Sequence, residues 1–329
     1  MLHPLKAAVI ATLAILSTGV PPASAGPIAP VISAAASSDA VIRYRTVEVD
    51  GIPIFYREAG PPDGPVLLLL HGFPTSSHMY RDLIPRLADR YRVIAPDYPG
   101  FGQSGAPDRA AFAYTFDRYA ELMAGFTDRI GIDRYALYVM DYGAPVGFRL
   151  ATARQDRVTA LIVQNGNAYD EGIGDFWKPI KTYWASNSAA DREALRPATE
   201  PAGVRWQYTD GVPADRLDRV NPDAWTMDQA GLDRPGNREI QLDLFRDYQT
   251  NLPLYPRWQA WMRDRRPPTL VMWGRNDQIF LVEGARAYAR DNPEAEIHEL
   301  DTGHFALETH GPEIAGLIRD FLGRRVTAR

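Results

Sequence analysis

The segment from Tyr135 to Arg154 constrains the fold of this chain more than any other. Tyr135 to Met140 is an unbroken apolar run, Asp141-Tyr142-Gly143 interrupts it, and Ala144 to Arg154 is small and helix-compatible. An uninterrupted apolar run of this length reads as a strand buried on both faces. A helix that begins so soon after it forces a sharp turn at the end of the sheet, with Asp141 at the apex. An Asp between strand and helix also suits a helix N-cap, where a carboxylate meets unpaired N–H groups and the positive end of the helix dipole. The two roles differ chemically. A cap only accepts hydrogen bonds, whereas a presented carboxylate can attack an sp³ carbon and carry an alkyl ester, unlike the acyl chemistry of a Ser or Cys nucleophile.

The rest of the chain repeats the strand–helix rhythm. Val41 to Asp50 and Ile52 to Arg57 alternate around Gly51 and predict a hairpin. Pro65 to Leu70, Tyr91 to Ala95, Val158 to Val163, Thr269 to Trp273 and Ile297 to Leu300 predict further strands. Helical spacing over Phe116 to Ile130 and over Pro312 to Leu322 falls between or after them. This alternation argues for an α/β fold, a mostly parallel sheet with helices on both faces. Residues 168–267 break the rhythm. They offer no buried strand and are rich in Trp and Tyr, which predicts a mainly helical cap inserted into a core of residues 41–167 and 268–329.

The first 40 residues differ in character. A weakly basic start, an apolar run from Ala7 to Val20 and the small-residue pattern Ala23-Ser24-Ala25 predict a signal peptide over residues 1–25. The apolar run is too short for a comfortable membrane span. The expectation is export to the periplasm or medium, cleavage near Ala25 and no stable membrane insertion afterwards. Residues 26–40, rich in Pro, Ala and Ser, predict a flexible leader. The chain has no cysteine, so it can form no disulfide and no thiolate nucleophile. A formal net charge of −5 gives no reason to expect nucleic acid as a partner.

Three more motifs follow predicted strands. His71-Gly72-Phe73-Pro74 follows Leu70, in position to bring a backbone N–H beside Asp141. With the amide of Tyr142, the amide of Phe73 can form an oxyanion hole. Asp277 lies just past Trp273, and His304, one of six histidines, lies just past the last strand. Reactive groups in open α/β sheets gather at such strand ends. Asp97, in Asp97-Tyr98-Pro99-Gly100, reads as a loop anchor. The order nucleophile, acid, histidine is that of the α/β-hydrolases. From Val41 to Arg324 the chain resembles the branch of that family containing epoxide hydrolases and haloalkane dehalogenases.

The resemblance implies a cofactor-free reaction with Asp141 as nucleophile, His304 as general base for water and Asp277 as its orienting acid. Haloalkane dehalogenases usually carry Trp after the nucleophile and often Asn in the turn; here Tyr142 and Phe73 stand there. Fluoroacetate dehalogenases usually carry Arg after the nucleophile. Epoxide hydrolases place cap tyrosines over the ring oxygen, and Tyr248 and Tyr183 are similar candidates. His71 and Trp184 are candidate substrate contacts. The expected substrate is a small apolar or aromatic epoxide, with water as co-substrate and a vicinal diol as product. The alternative is a haloalkane or haloacid dehalogenase using the same three residues.

Overall fold

The computed structural model describes residues 41–326. The predicted signal peptide and leader lie outside the described residues. Eight strands form one sheet in the order β1-β2-β4-β3-β5-β6-β7-β8. They are β1 (Arg43–Val49), β2 (Ile52–Ala59), β3 (Val66–Leu70), β4 (Arg92–Pro96), β5 (Tyr135–Met140), β6 (Val158–Gln164), β7 (Thr269–Gly274) and β8 (Glu296–Leu300). β1 and β2 form the predicted hairpin, β2 pairs antiparallel with β4, and all later pairs are parallel. The continuous apolar runs of β3 and β5 divide by alternate residue. Leu68, Leu70, Leu137 and Val139 point into one hydrophobic layer, and Leu67, Leu69, Tyr138 and Met140 into the other.

Helices cover both layers. α1 (Leu83–Leu87) and α11 (Ala306–Arg325) pack on one face. α2 (Phe116–Arg129), α3 (Gly143–Ala153), α9 (Tyr255–Arg265) and α10 (Val282–Asp291) pack on the other. Thr115 caps α2 by accepting from the amide of Arg118 at 3.1 Å. α11 begins a turn and a half before the expected start at Pro312. Two helical segments meet at His310, where φ is −124° and ψ is 19°. Pro312 opens the second segment, where a missing N–H costs no helical bond.

Between β6 and β7 the described residues contain no strand. They form α4 (Lys178–Ser186), α5 (Ala189–Glu193), α6 (Pro201–Thr209), α7 (Pro222–Leu232) and α8 (Asn237–Asp247), followed by α9. Trp177, Val204, Leu242 and Tyr248 of this segment are buried in the same cluster as Phe73 and Tyr142 from the strand ends. The Asp247 carboxylate at the end of α8 also accepts from the Phe116 amide at the start of α2, at 2.8 Å.

Candidate active site

The carboxyl ends of the parallel strands bring the polar motifs together. Asp141 follows β5 with φ of +49°, a left-handed conformation that strains a non-glycine residue. Tyr142, not Asp141, occupies the N-cap position of α3. The carboxylate instead turns across to the end of β3, where the Phe73 amide donates to Oδ1 at 2.7 Å. This approach requires Gly72, because a Cβ there would overlap the Asp141 side chain. Position 139 carries the bulk of a Val just before the turn. Gly147, one turn into α3, leaves room for it, since a Cβ there would collide with Cγ1 of Val139.

His304 lies beyond β8, with Nε2 3.7 Å from Oδ2 of Asp141 and Nδ1 2.8 Å from Oδ2 of Asp277. Asp277 is fixed twice more. It accepts from the Ile279 amide at 2.8 Å and from Nδ2 of Asn165 at 2.7 Å. Sequence reasoning missed Asn165. Its Oδ1 accepts from the Gly274 amide at 3.1 Å, its carbonyl accepts from the Asp141 amide at 3.3 Å, and its φ is +45°. One residue thus ties together the ends of β5, β6 and β7. The available signal was Gln164-Asn165-Gly166-Asn167, a polar run directly after a buried strand.

The electrostatics match these positions. Burial pushes the Asp141 carboxyl up to about 6, against the opposing pull of the His304 charge and the Phe73 and Tyr142 amides. It is ionised at neutral pH but poorly hydrated. Burial alone would lower the pKa of His304. Asp277, by charge and hydrogen bond, and Asp141, by charge, more than offset it and leave it raised. Nε2 of His304 is buried and has no hydrogen-bond partner among the described residues. Among those residues no group of three His, Asp or Glu side chains is placed to hold a metal ion.

A cavity of about 350 Å³ opens over Asp141, walled by Phe73, Tyr142, Trp177, Ile180, Phe245 and Ile279, with Phe176, Trp206 and Gln207 contributed by α6 and the turn before α4. The wall is almost wholly apolar. Tyr248 stands one layer behind it, with its ring 4.5 Å from Trp177 and 6.1 Å from Tyr142. Its hydroxyl is buried without a hydrogen-bond partner among the described residues. Burial, then Tyr255 and the Asp141 charge, hold this phenol well above its ordinary pKa.

Three expected contacts fall elsewhere. His71 is fully buried behind the turn, with Nε2 accepting from the Tyr98 amide at 3.2 Å and Nδ1 3.1 Å from the Gly72 carbonyl. Both ring nitrogens are used in shaping the turn, so none is left for substrate. α4 presents Ile180 to the cavity, whereas Tyr183 lies under the Arg246 guanidinium, 5.5 Å from its ring centre, and is not on the wall. Trp184 donates its indole N–H to the Phe245 carbonyl at 2.7 Å and stacks parallel to Tyr248. Asp97 is the loop anchor its motif suggests, accepting from the amides of Ser77 at 2.7 Å and Gln103 at 2.8 Å.

Residues 65–311 match the family model of the α/β hydrolase fold. The chain is 48% identical over 283 residues to an uncharacterized hydrolase of Saccharomyces cerevisiae, a match covering 84% of this chain and 96% of the yeast protein. It is 30% identical over 283 residues to a haloalkane dehalogenase of Mycolicibacterium paratuberculosis, covering 79% of this chain and 84% of that one. An epoxide hydrolase crystal structure from Vigna radiata superposes with a TM-score of 0.68 at 22% identity, over 86% of this chain and 98% of that one, which is a likeness of fold. The chain belongs to the α/β-hydrolase fold family, and it is a hydrolase of that fold.

Proposed function

We propose that this hydrolase opens epoxides to vicinal diols. The observation that carries the reading is a presented, desolvated carboxylate facing an almost wholly apolar cavity in which the indole N–H of Trp177 is already committed. Trp177 donates to the Ile279 carbonyl at 2.7 Å and Trp184 to the Phe245 carbonyl at 2.7 Å. A departing halide needs several such donors around it, whereas an epoxide keeps its leaving oxygen attached to the product.

In the first step an oxygen of Asp141 attacks a ring carbon. The carbon–oxygen bond breaks, its electron pair passes to the ring oxygen, and that alkoxide takes a proton. The product is an alkyl ester on Asp141. Tyr248 is the candidate donor by its resemblance to the cap tyrosines of epoxide hydrolases; its ring packs behind Tyr142 and Trp177, which line the cavity, so its hydroxyl has to reach past them to the oxygen. In the second step His304 removes a proton from water, which attacks the ester carbonyl. The Phe73 and Tyr142 amides receive the oxyanion. Collapse breaks the bond to the alkyl oxygen, which takes the proton held by His304, and the proton left on the Asp141 carboxyl returns to the donor that protonated the ring oxygen, so the diol is freed and Asp141 restored. Esterification removes the Asp141 charge, one of the causes that raise His304. The imidazole therefore becomes less basic and more fully neutral when it must accept a proton.

Dehalogenation is the second reading, supported by the relatives named haloalkane dehalogenase. Intact-mass spectrometry of the full-length His304→Gln variant separates the two. After incubation with epoxides and bromoalkanes of distinct mass, a gain equal to a whole epoxide is expected. A gain equal to an alkyl group without its halogen would establish dehalogenation instead. No adduct from either class, with Asp141 intact, would overturn the role of Asp141 as nucleophile.

A further inference from the structure

We infer, building on the epoxide reading above, that Gln207 is the polar contact that orients the substrate, its side-chain amide donating to the oxygen of the bound molecule. Gln207 is 5% exposed and lines the catalytic cavity. Its amide makes no hydrogen bond to any protein group among the described residues, and most of the wall around it is aromatic or aliphatic. Its amide is not one of the fully enclosed groups without a partner, so it opens onto the cavity and can pair with what the cavity holds. Trp177 cannot serve, because its N–H is already donated. Tyr183, the expected second donor beside Tyr248, is turned to Arg246.

The seat of Gln207 is rigid and is referred to the catalytic loops. The next residue, Tyr208, stacks on Phe305 at 4.0 Å, with the rings 7° from parallel, and donates to Asp228 at 2.5 Å. Phe305 follows His304. Just past α6, the Gly211 carbonyl accepts from Nδ2 of Asn276 at 2.8 Å, and Asn276 precedes Asp277. α6 is thereby pinned to the loops of both the base and its acid. A donor held in that frame is preorganised, and its hydrogen bond strengthens as negative charge grows on the substrate oxygen. An amide cannot protonate that oxygen, so Gln207 orients and stabilises while the proton comes from elsewhere. The ligand class that fits is a neutral, mostly apolar molecule with one oxygen near the reacting carbon.

Two assays on Gln207→Leu and Gln207→Met, each checked for a native melting transition, test this. The first is the rate of ester formation on Asp141 from an aryl epoxide in the His304→Gln background. A loss of about tenfold or more is expected. The second is Trp fluorescence titration of the Asp141→Asn protein with benzyl alcohol and with toluene. A preference for the alcohol is expected with Gln207 present and should vanish in both variants. An ester rate within twofold and an unchanged alcohol preference would overturn the inference, as would the absence of any alcohol preference with Gln207 in place. If the preference disappears in the variants but no epoxide forms an ester even with Gln207 present, the contact stands and the epoxide reading fails.

Discussion

At the scale of the residue, Asp141 is the most costly side chain in the site. It combines a positive φ with a buried carboxyl held at about 6 instead of 3.8. A folded-state pKa above the unfolded one means that the native state binds the proton more tightly. The stability this contributes is present at low pH and is lost as pH rises from about 3.8 through about 6. The cost at neutral pH is roughly 3 kcal/mol, at about 1.4 kcal/mol per tenfold change in proton affinity. Asn tolerates the left-handed conformation and carries no charge. Asp141→Asn is therefore expected to melt up to roughly 5 °C higher than the parent at pH 8, with the gap closing below pH 6. Calorimetry at the two pH values checks this, and an unchanged gap would rule out ionisation as its cause. For the same reason single-turnover ester formation should fall as pH drops through about 6, where Asp141 takes up its proton.

At the scale of the element, the turn depends on how α3 meets β5. Val139 fills the space that Gly147 leaves open. Gly147→Ala alone should overpack this contact and destabilise by about 1–3 kcal/mol. Val139→Ala alone should cost a comparable amount through the cavity it leaves. Together they relieve one another, so the double variant should be more stable than the sum of the two single losses by at least 0.5 kcal/mol. Urea denaturation of the four proteins gives this coupling. Strict additivity would show that the strand and helix adjust independently. The continuous apolar run of β5 and the small residues of α3 were readable in the sequence, but the pairing of Val139 with Gly147 was not. It depends on the angle at which the helix leaves the strand.

At the scale of the whole molecule, the segment between β6 and β7 completes the hydrophobic layer over the strand ends. Phe73, Tyr142 and Phe280 are each no more than 5% exposed and pack in one cluster with Trp177 and Tyr248 from the cap. Aromatic side chains bury about 150–250 Å² each. Uncovering half the area of those three costs about 7 kcal/mol at roughly 25 cal/mol per Å². That is comparable with the entire stability of a typical domain, about 5–15 kcal/mol. Replacing residues 168–267 with a short linker should therefore give a protein that aggregates or binds a hydrophobic dye without a cooperative melt. A soluble, cooperatively melting core would show that the cap is dispensable for folding. Among the described residues no helix is long and apolar enough to cross a membrane.

The sequence by itself determined the sheet and the positions of its reactive ends. Apolar runs mark the buried strands of this sheet, and the residue after each run emerges at the strand's carboxyl end. That local rule was enough to single out Asp141, Asp277, His304 and the turn at Phe73. The cap was legible only as helical and aromatic, because helical periodicity gives a face but not the rotation of that face about a distant site. Tertiary structure alone turned Tyr183 toward Arg246, used both nitrogens of His71 in the turn and gave the N–H of Trp184 to Phe245. It also brought Asn165 and Gln207, unremarkable polar residues in the chain, to Asp277 and the cavity wall. A polar side chain's role is set by which donors and acceptors remain unpaired around it, and that is decided only when distant segments meet.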